Sequence, residues 1–141
     1  MNENVVNTAS CYCLKTRKAS ASITQFYNGI LKPSGVTVRQ FFLLQSISQA
    51  VFCSVRELSD ITGLDRSTLA RSLKPLYHQG LIIDNKDLGS RNSQLKLTQA
   101  GTITLKQAKQ LWDKAQITFM QKIGKEGADA LEKAFQALKD L

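Results

Sequence analysis

Six polar side chains in one short stretch carry the most distinctive chemistry of this sequence: Arg66, Ser67, Thr68, Arg71, Ser72 and Lys74. Guanidinium groups pair with guanine edges or phosphate oxygens, hydroxyls serve phosphates and bases alike, and an ammonium adds a point charge. Interleaved with them, Leu69, Leu73 and Leu76 recur at i, i+4 and i+7. On a helix the three leucines therefore share one face, and the six polar side chains take the outward positions. Such a helix is held from behind by a core while it offers cations to a polyanion. A merely solvated basic face has the same composition, so the flanking elements decide between the two.

Asp65 is a good N-cap for this helix and Gly80 closes it. Just upstream, Ser54 can cap a shorter helix carrying Leu58 and Ile61, which ends at Gly63. Residues 55–61, the turn Thr62-Gly63-Leu64 and residues 65–79 then form a helix-turn-helix, whose second helix is built to enter a major groove. Downstream, Leu81-Ile82-Ile83 and Gln94-Leu95-Lys96-Leu97 read as strands around a polar loop containing Gly89. That hairpin is a wing, and Lys86 and Arg91 near its tip face the adjacent minor groove or backbone. Two cationic elements in this order favour duplex DNA over a solvated face, and Ser54 joins the predicted contact set. An RNA- or protein-binding winged helix remains the alternative; its reading helix would be acidic or apolar.

The rest of the chain frames this lobe. Residues 10–31 read as a long first helix stopped by Lys32-Pro33-Ser34-Gly35, and Thr37 caps a second helix with Phe41, Leu44 and Ile47 inward. Ala50-Val51-Phe52-Cys53 reads as a short β-like piece. From Thr98 a long helix runs through Leu105, Leu111, Trp112, Phe119 and Ile123; Gly124 and Gly127 punctuate it before a last amphipathic helix over residues 128–141. Pro75, inside the reading helix, deletes one backbone hydrogen bond, which predicts a kink or an early end. The fold class is mainly α with a small β component (α+β), a winged helix-turn-helix between terminal helices.

Composition agrees. With 141 residues and 43% hydrophobic content the chain can bury one core, and 19 Lys plus Arg against 11 Asp plus Glu give a net charge of +8 that favours polyanionic partners. Three cysteines form no disulfide framework, and Cys11-Tyr12-Cys13 with the single His78 is too sparse for a zinc site, so no metal or cofactor is expected. No nucleophile elbow or phosphate-cradling glycine loop suggests an enzyme. No apolar run spans a bilayer and no signal peptide is evident, so a cytoplasmic, nucleoid-associated protein without membrane contact is expected.

The ordered set Glu57-Leu58-Ser59, Gly63-Leu64-Asp65-Arg66-Ser67-Thr68, Leu76, Gly80-Leu81-Ile82, Arg91 and Leu97-Thr98-Gln99-Ala100-Gly101 resembles the MarR family of regulators, as does the upstream Gly35-Val36-Thr37-Val38-Arg39-Gln40-Phe41. One departure lies in the wing, where Leu88-Gly89-Ser90 precedes Arg91, so the acidic residue usual in the family is missing there unless Asp87 supplies it from a shifted position. The resemblance implies a homodimer, with dimerisation helices in residues 1–36 and 99–141 and a DNA-binding lobe in 37–98, acting as a repressor on a pseudopalindromic operator. It also implies an inducer, a small aromatic ligand or an oxidant. For the ligand, Phe26, Tyr27 and Arg17 are the candidate pocket residues. For the oxidant, Cys13 matches by spacing the reactive cysteine of the peroxide-sensing OhrR-like branch, with Cys11 beside it, Tyr27 at a matching aromatic position and Lys15, Arg17 and Lys18 as positive surroundings. Burial of Cys11 and Cys13 at a dimer seam is the competing reading.

Overall fold

The computed structural model describes residues 7–50, 53–86 and 93–141. Its order is α1 (Tyr12–Leu31), α2 (Val38–Gln49), α3 (Val55–Thr62), α4 (Arg66–His78), β1 (Ile82–Asp84), β2 (Leu95–Leu97) and α5 (Gln99–Leu138), with single 3-10 turns at Thr8–Ser10 and Lys32–Ser34.

Local capping chemistry fixes most boundaries. Thr37 and Gln40 form a reciprocal capping box at the start of α2. The Asn28 side chain of α1 accepts a further hydrogen bond from the Val38 amide at 2.9 Å, which ties the start of α2 to the preceding helix. Ser54 caps α3, and Gly63 ends it in the left-handed region at φ 69°. Ser59 Oγ then donates to the Leu64 carbonyl at 2.8 Å and Thr62 Oγ1 to the Leu58 carbonyl at 2.6 Å, so side chains close the turn between α3 and α4.

Pro75 does not end α4, contrary to the early stop the sequence allowed, since the helix continues to His78. The missing hydrogen bond is outweighed by Leu73 and Leu76, which bury the final turns on either side of the proline. The β-strands pair antiparallel, Ile82 with Leu97 and Asp84 with Leu95, and Cys53 adds an isolated bridge to Leu95. Val51 and Phe52 of the expected β-like piece, and residues 87–92 of the wing, lie outside the described residues.

Leu31, Phe41, Leu44, Leu58, Leu69, Leu76, Ile82 and Leu95 meet in one continuous core that extends to Ala108 and Ala115 of α5. Trp112 of α5 stacks on Phe41 at 5.8 Å between ring centroids, joining the long helix to the lobe. The two C-terminal helices read from the sequence are both present within α5: Gly124, at φ 72° and ψ 171°, interrupts helical geometry and divides it into two rods. Gly127 is helical and makes no break.

Candidate DNA-reading surface

The chain buries the α4 leucines completely or nearly so, Leu69 and Leu76 at 0% and Leu73 at 3% exposure, and leaves Arg66, Ser67, Arg71 and Lys74 exposed. This is the segregation the spacing requires. Thr68 and Ser72, one turn apart, are half-buried on a flank of the helix, and Arg71 borders that flank, with a guanidinium nitrogen 3.4 Å from Thr68 Oγ1. Thr68 and Ser72 thus differ from the outward-facing set with which the sequence grouped them.

Asp65 anchors the start of this helix. Its Oδ1 accepts from the Thr68 amide and from the Ser67 hydroxyl, both at 2.8 Å. Those bonds, the Thr68 amide foremost, hold the carboxyl below the usual carboxylate range, and the charge of Arg71 acts in the same direction. Because the folded carboxyl is the stronger acid, the ionised cap stabilises the fold above the ordinary carboxylate pKa and loses that contribution as pH falls through the folded value. We expect Asp65→Ala to lower the melting temperature at neutral pH and to flatten its fall between about pH 5 and pH 3. Asp65→Asn should keep most of the cap while also losing the acid dependence; calorimetric melting of the three proteins across that range checks both points.

Ser54 is half-buried, and its Oγ accepts from the Glu57 amide at 3.0 Å, so the hydroxyl serves first as the α3 cap. In the wing, Lys86 is exposed, and Asp84 Oδ1 accepts from the backbone amides of both Lys86 and Gln94, at 3.1 and 2.9 Å. This carboxylate clasps the base of the loop, a role the sequence reading missed; an Asp at the end of a strand entering a turn was the available signal. Ser93 Oγ accepts from the Val55 amide at 2.8 Å, fixing the approach to β2 against the start of α3. Arg91 lies outside the described residues.

The chain does not bring together the sensor residues named from the sequence. Cys11 and Cys13 are exposed and Tyr27 is half-buried, and the continuous helix between Cys13 and Tyr27 separates them by roughly 21 Å at the α-helical rise. Tyr27 instead donates its hydroxyl to Gln116 and packs with Phe26 against Phe119 of α5, and burial pushes its phenol above the usual value. Arg17 is exposed, about 15 Å along the helix from Tyr27. Phe26 and Tyr27 are therefore part of the α1–α5 seam. Cys53 is fully buried, and desolvation followed by the charge of Glu57 raises its thiol pKa, as suits an inert core residue.

A cavity of about 960 Å³ opens elsewhere, between α1, the start of α2, the end of α3 and the flank of α4. Thr24 and Asn28, Val38, Arg39 and Phe42, Ile61, and Thr68, Arg71 and Ser72 all reach it.

The whole-chain architecture matches that of solved regulators. The chain superimposes on the M. tuberculosis transcriptional regulator MosR in complex with DNA with a TM-score of 0.76 and 29% identity, covering 93% of this chain and 98% of that one. The match to a mutant MarR from E. coli complexed with operator DNA has a TM-score of 0.80 at 21% identity, over 95% and 99% of the two chains. The chain has the MarR-type winged helix-turn-helix fold. The PcaV transcriptional regulator from Streptomyces coelicolor, solved with its natural ligand, matches this MarR-type chain with a TM-score of 0.80 at 20% identity, over 96% of each. The model of the ArsR family of bacterial regulatory proteins matches residues 42–84, which run from within α2 to the end of β1 and so include both helices of the helix-turn-helix but not β2. No curated protein matches by sequence. Among the described residues no helix is long and apolar enough to cross a membrane, and no cluster of acidic, His and Cys side chains could hold a metal.

Proposed function

We propose that this chain is a sequence-specific, duplex-DNA-binding transcriptional repressor that works as a homodimer. The observation that carries this reading is α4 itself, a capped helix with its leucines sealed in the core and Arg66, Ser67, Arg71 and Lys74 exposed on a MarR-type frame. Two structural relatives solved on DNA, one of them on an operator, support it. Arg71 and Arg66 read base edges, Ser67 and Lys74 hold phosphates, and Lys86 with Arg91 of the wing reaches the neighbouring groove. A gel-shift titration on the chain's own upstream region should give a complex that weakens steeply with salt and a footprint that is pseudopalindromic. Equal competition by random duplex would refute sequence specificity.

Dimerisation is supported by what one subunit leaves uncovered. Tyr12 near the start of α1 is 81% exposed, and Phe135 and Leu138 near the end of α5 are each 49% exposed. Apolar groups gathered on both terminal helices are the mark of a surface that another chain covers. The terminal helices of two copies bury these faces and set the two α4 helices about one turn of DNA apart. Phe135→Glu should shift the protein toward monomer in analytical ultracentrifugation and weaken operator binding in parallel.

The inter-helix cavity is the inducer site in this reading, and it replaces Phe26, Tyr27 and Arg17 as the place for a small aromatic ligand. A second reading, thiol sensing, is favoured by the exposure of Cys11 and Cys13 where Cys53 is buried. In it the Cys13 thiolate attacks a peroxide oxygen to give the sulfenic acid and release the alcohol. Cys13→Ser should then abolish release from DNA by cumene hydroperoxide, and unchanged release would exclude this cysteine.

A further inference from the structure

The ladder between β1 and β2 ends where Asp84 faces Leu95, and the Asn85 amide adds one more bond to the Gln94 carbonyl at 2.7 Å. There Asp84 Oδ1 takes both limbs of the wing at once, accepting from the Lys86 amide at 3.1 Å and from the Gln94 amide at 2.9 Å. One oxygen thereby ties the backbone of Lys86 to the opposite limb, while the Lys86 side chain stays exposed. That limb is held in turn by α3 and the residue before its cap, since Ser93 Oγ accepts from the Val55 amide at 2.8 Å and the Leu95 amide donates to the Cys53 carbonyl at 2.7 Å. Asp84 also lies beside the end of α4, where desolvation and then its charge raise the Tyr77 phenol above the usual value. Lys86 therefore has a set place relative to both helices of the helix-turn-helix.

A carboxylate in a hairpin that faces DNA repels the nearby phosphates, and at this range salt screens it only in part. Resting on the reading of the wing as a DNA contact, we propose that Asp84 is a positioning residue for DNA binding: by joining the Lys86 and Gln94 amides it holds the Lys86 ammonium where a phosphate meets it, without touching DNA itself. Asp84 acts as a double acceptor and not as an anion. What the clasp adds to binding exceeds what the charge takes away.

That distinction separates two substitutions. Asp84→Asn keeps an acceptor oxygen and removes the repulsion, so it should bind the chain's own upstream duplex as tightly as the wild type or up to about threefold more tightly. Asp84→Ala removes oxygen and charge together. It should weaken binding about tenfold and lower the slope of log affinity against log salt by about two, one phosphate contact per subunit of the dimer. Fluorescence anisotropy across a salt series reads both quantities. Two tighter variants would mark Asp84 as a repulsive surface charge, and two equally weak ones would make the charge itself the requirement; either result overturns the proposal. A general loss of structure would weaken binding whatever stands at 86. In a Lys86→Ala background Asp84→Ala should cost nothing further, whereas in a Lys74→Ala background the tenfold loss should persist; an undiminished loss without Lys86 also rejects the proposal. Amide hydrogen exchange on the free protein reads the clasp without DNA: exchange at Lys86 and Gln94 should rise about tenfold in Asp84→Ala and stay near wild type in Asp84→Asn. Unchanged rates in Asp84→Ala overturn the clasp. A wild type that shifts no duplex refutes the proposed function instead, and the exchange rates tell the two failures apart.

Discussion

Gly101→Ala is expected to lower the unfolding free energy by about 3 kcal/mol, an unusually large effect for one added methyl group. The cause is the joint between α5 and the end of α4. Thr98 caps α5 by accepting from the Gly101 amide at 3.0 Å, and the same hydroxyl donates to the Gly80 carbonyl at 2.5 Å. The Thr98 amide also donates to the Leu81 carbonyl at 3.0 Å. This clasp draws the first turn of α5 so close to Leu81 that a Cβ on Gly101 would lie far inside contact distance of the Leu81 carbonyl oxygen and 3.0 Å from its carbonyl carbon. Backbone cannot rotate aside as a side chain would, so relief requires lifting α5 and breaking the clasp. Gly29 gives the matched control: it lies within α1 and a Cβ there meets nothing within 4 Å, so Gly29→Ala should be neutral or stabilising by up to about 1 kcal/mol. Denaturant midpoints of the two variants provide the comparison, and equal values would show that α5 has more freedom against Leu81 than the clasp implies.

The same joint separates what was legible in the sequence from what was not. Thr98 and Gly101 stand out as part of a motif, but the reason for the glycine is an approach of Leu81 from the other side of the hairpin, and no local pattern encodes that distance. Caps were readable because their chemistry is local: Thr37, Ser54 and Asp65 each accept a hydrogen bond from an amide three residues on. The leucine face of α4 was readable because periodicity alone assigns it. Pro75 was weighed by its lost hydrogen bond, whereas the burial of Leu76 that holds the last turn is a tertiary fact. The cavity was illegible for the same reason, since its walls come from four helices and its two arginines stand thirty-two positions apart in the chain. Phe26 and Tyr27 look like pocket residues in the sequence because aromatic rings suit ligands and helix seams equally; the partner against which they pack is Phe119, far along the sequence.

Arg71→Ala is expected to weaken operator binding on the order of a hundredfold while reducing affinity for random duplex much less. Each subunit of the proposed dimer contributes one Arg71, and a lost paired contact to a base costs about 1–3 kcal/mol per half-site, so two losses compound. Loss of a charge that met only phosphate would instead lower specific and random affinity together and shallow the salt dependence. The variant should fold normally, because Arg71 is exposed and the helix around it is held by Asp65 at its start and by Leu69, Leu73 and Leu76 beneath. Fluorescence anisotropy on operator and random duplexes at two salt concentrations reads both affinities and the salt dependence. A variant that kept its preference for operator over random DNA would move base recognition to Arg66 and leave Arg71 as a phosphate contact.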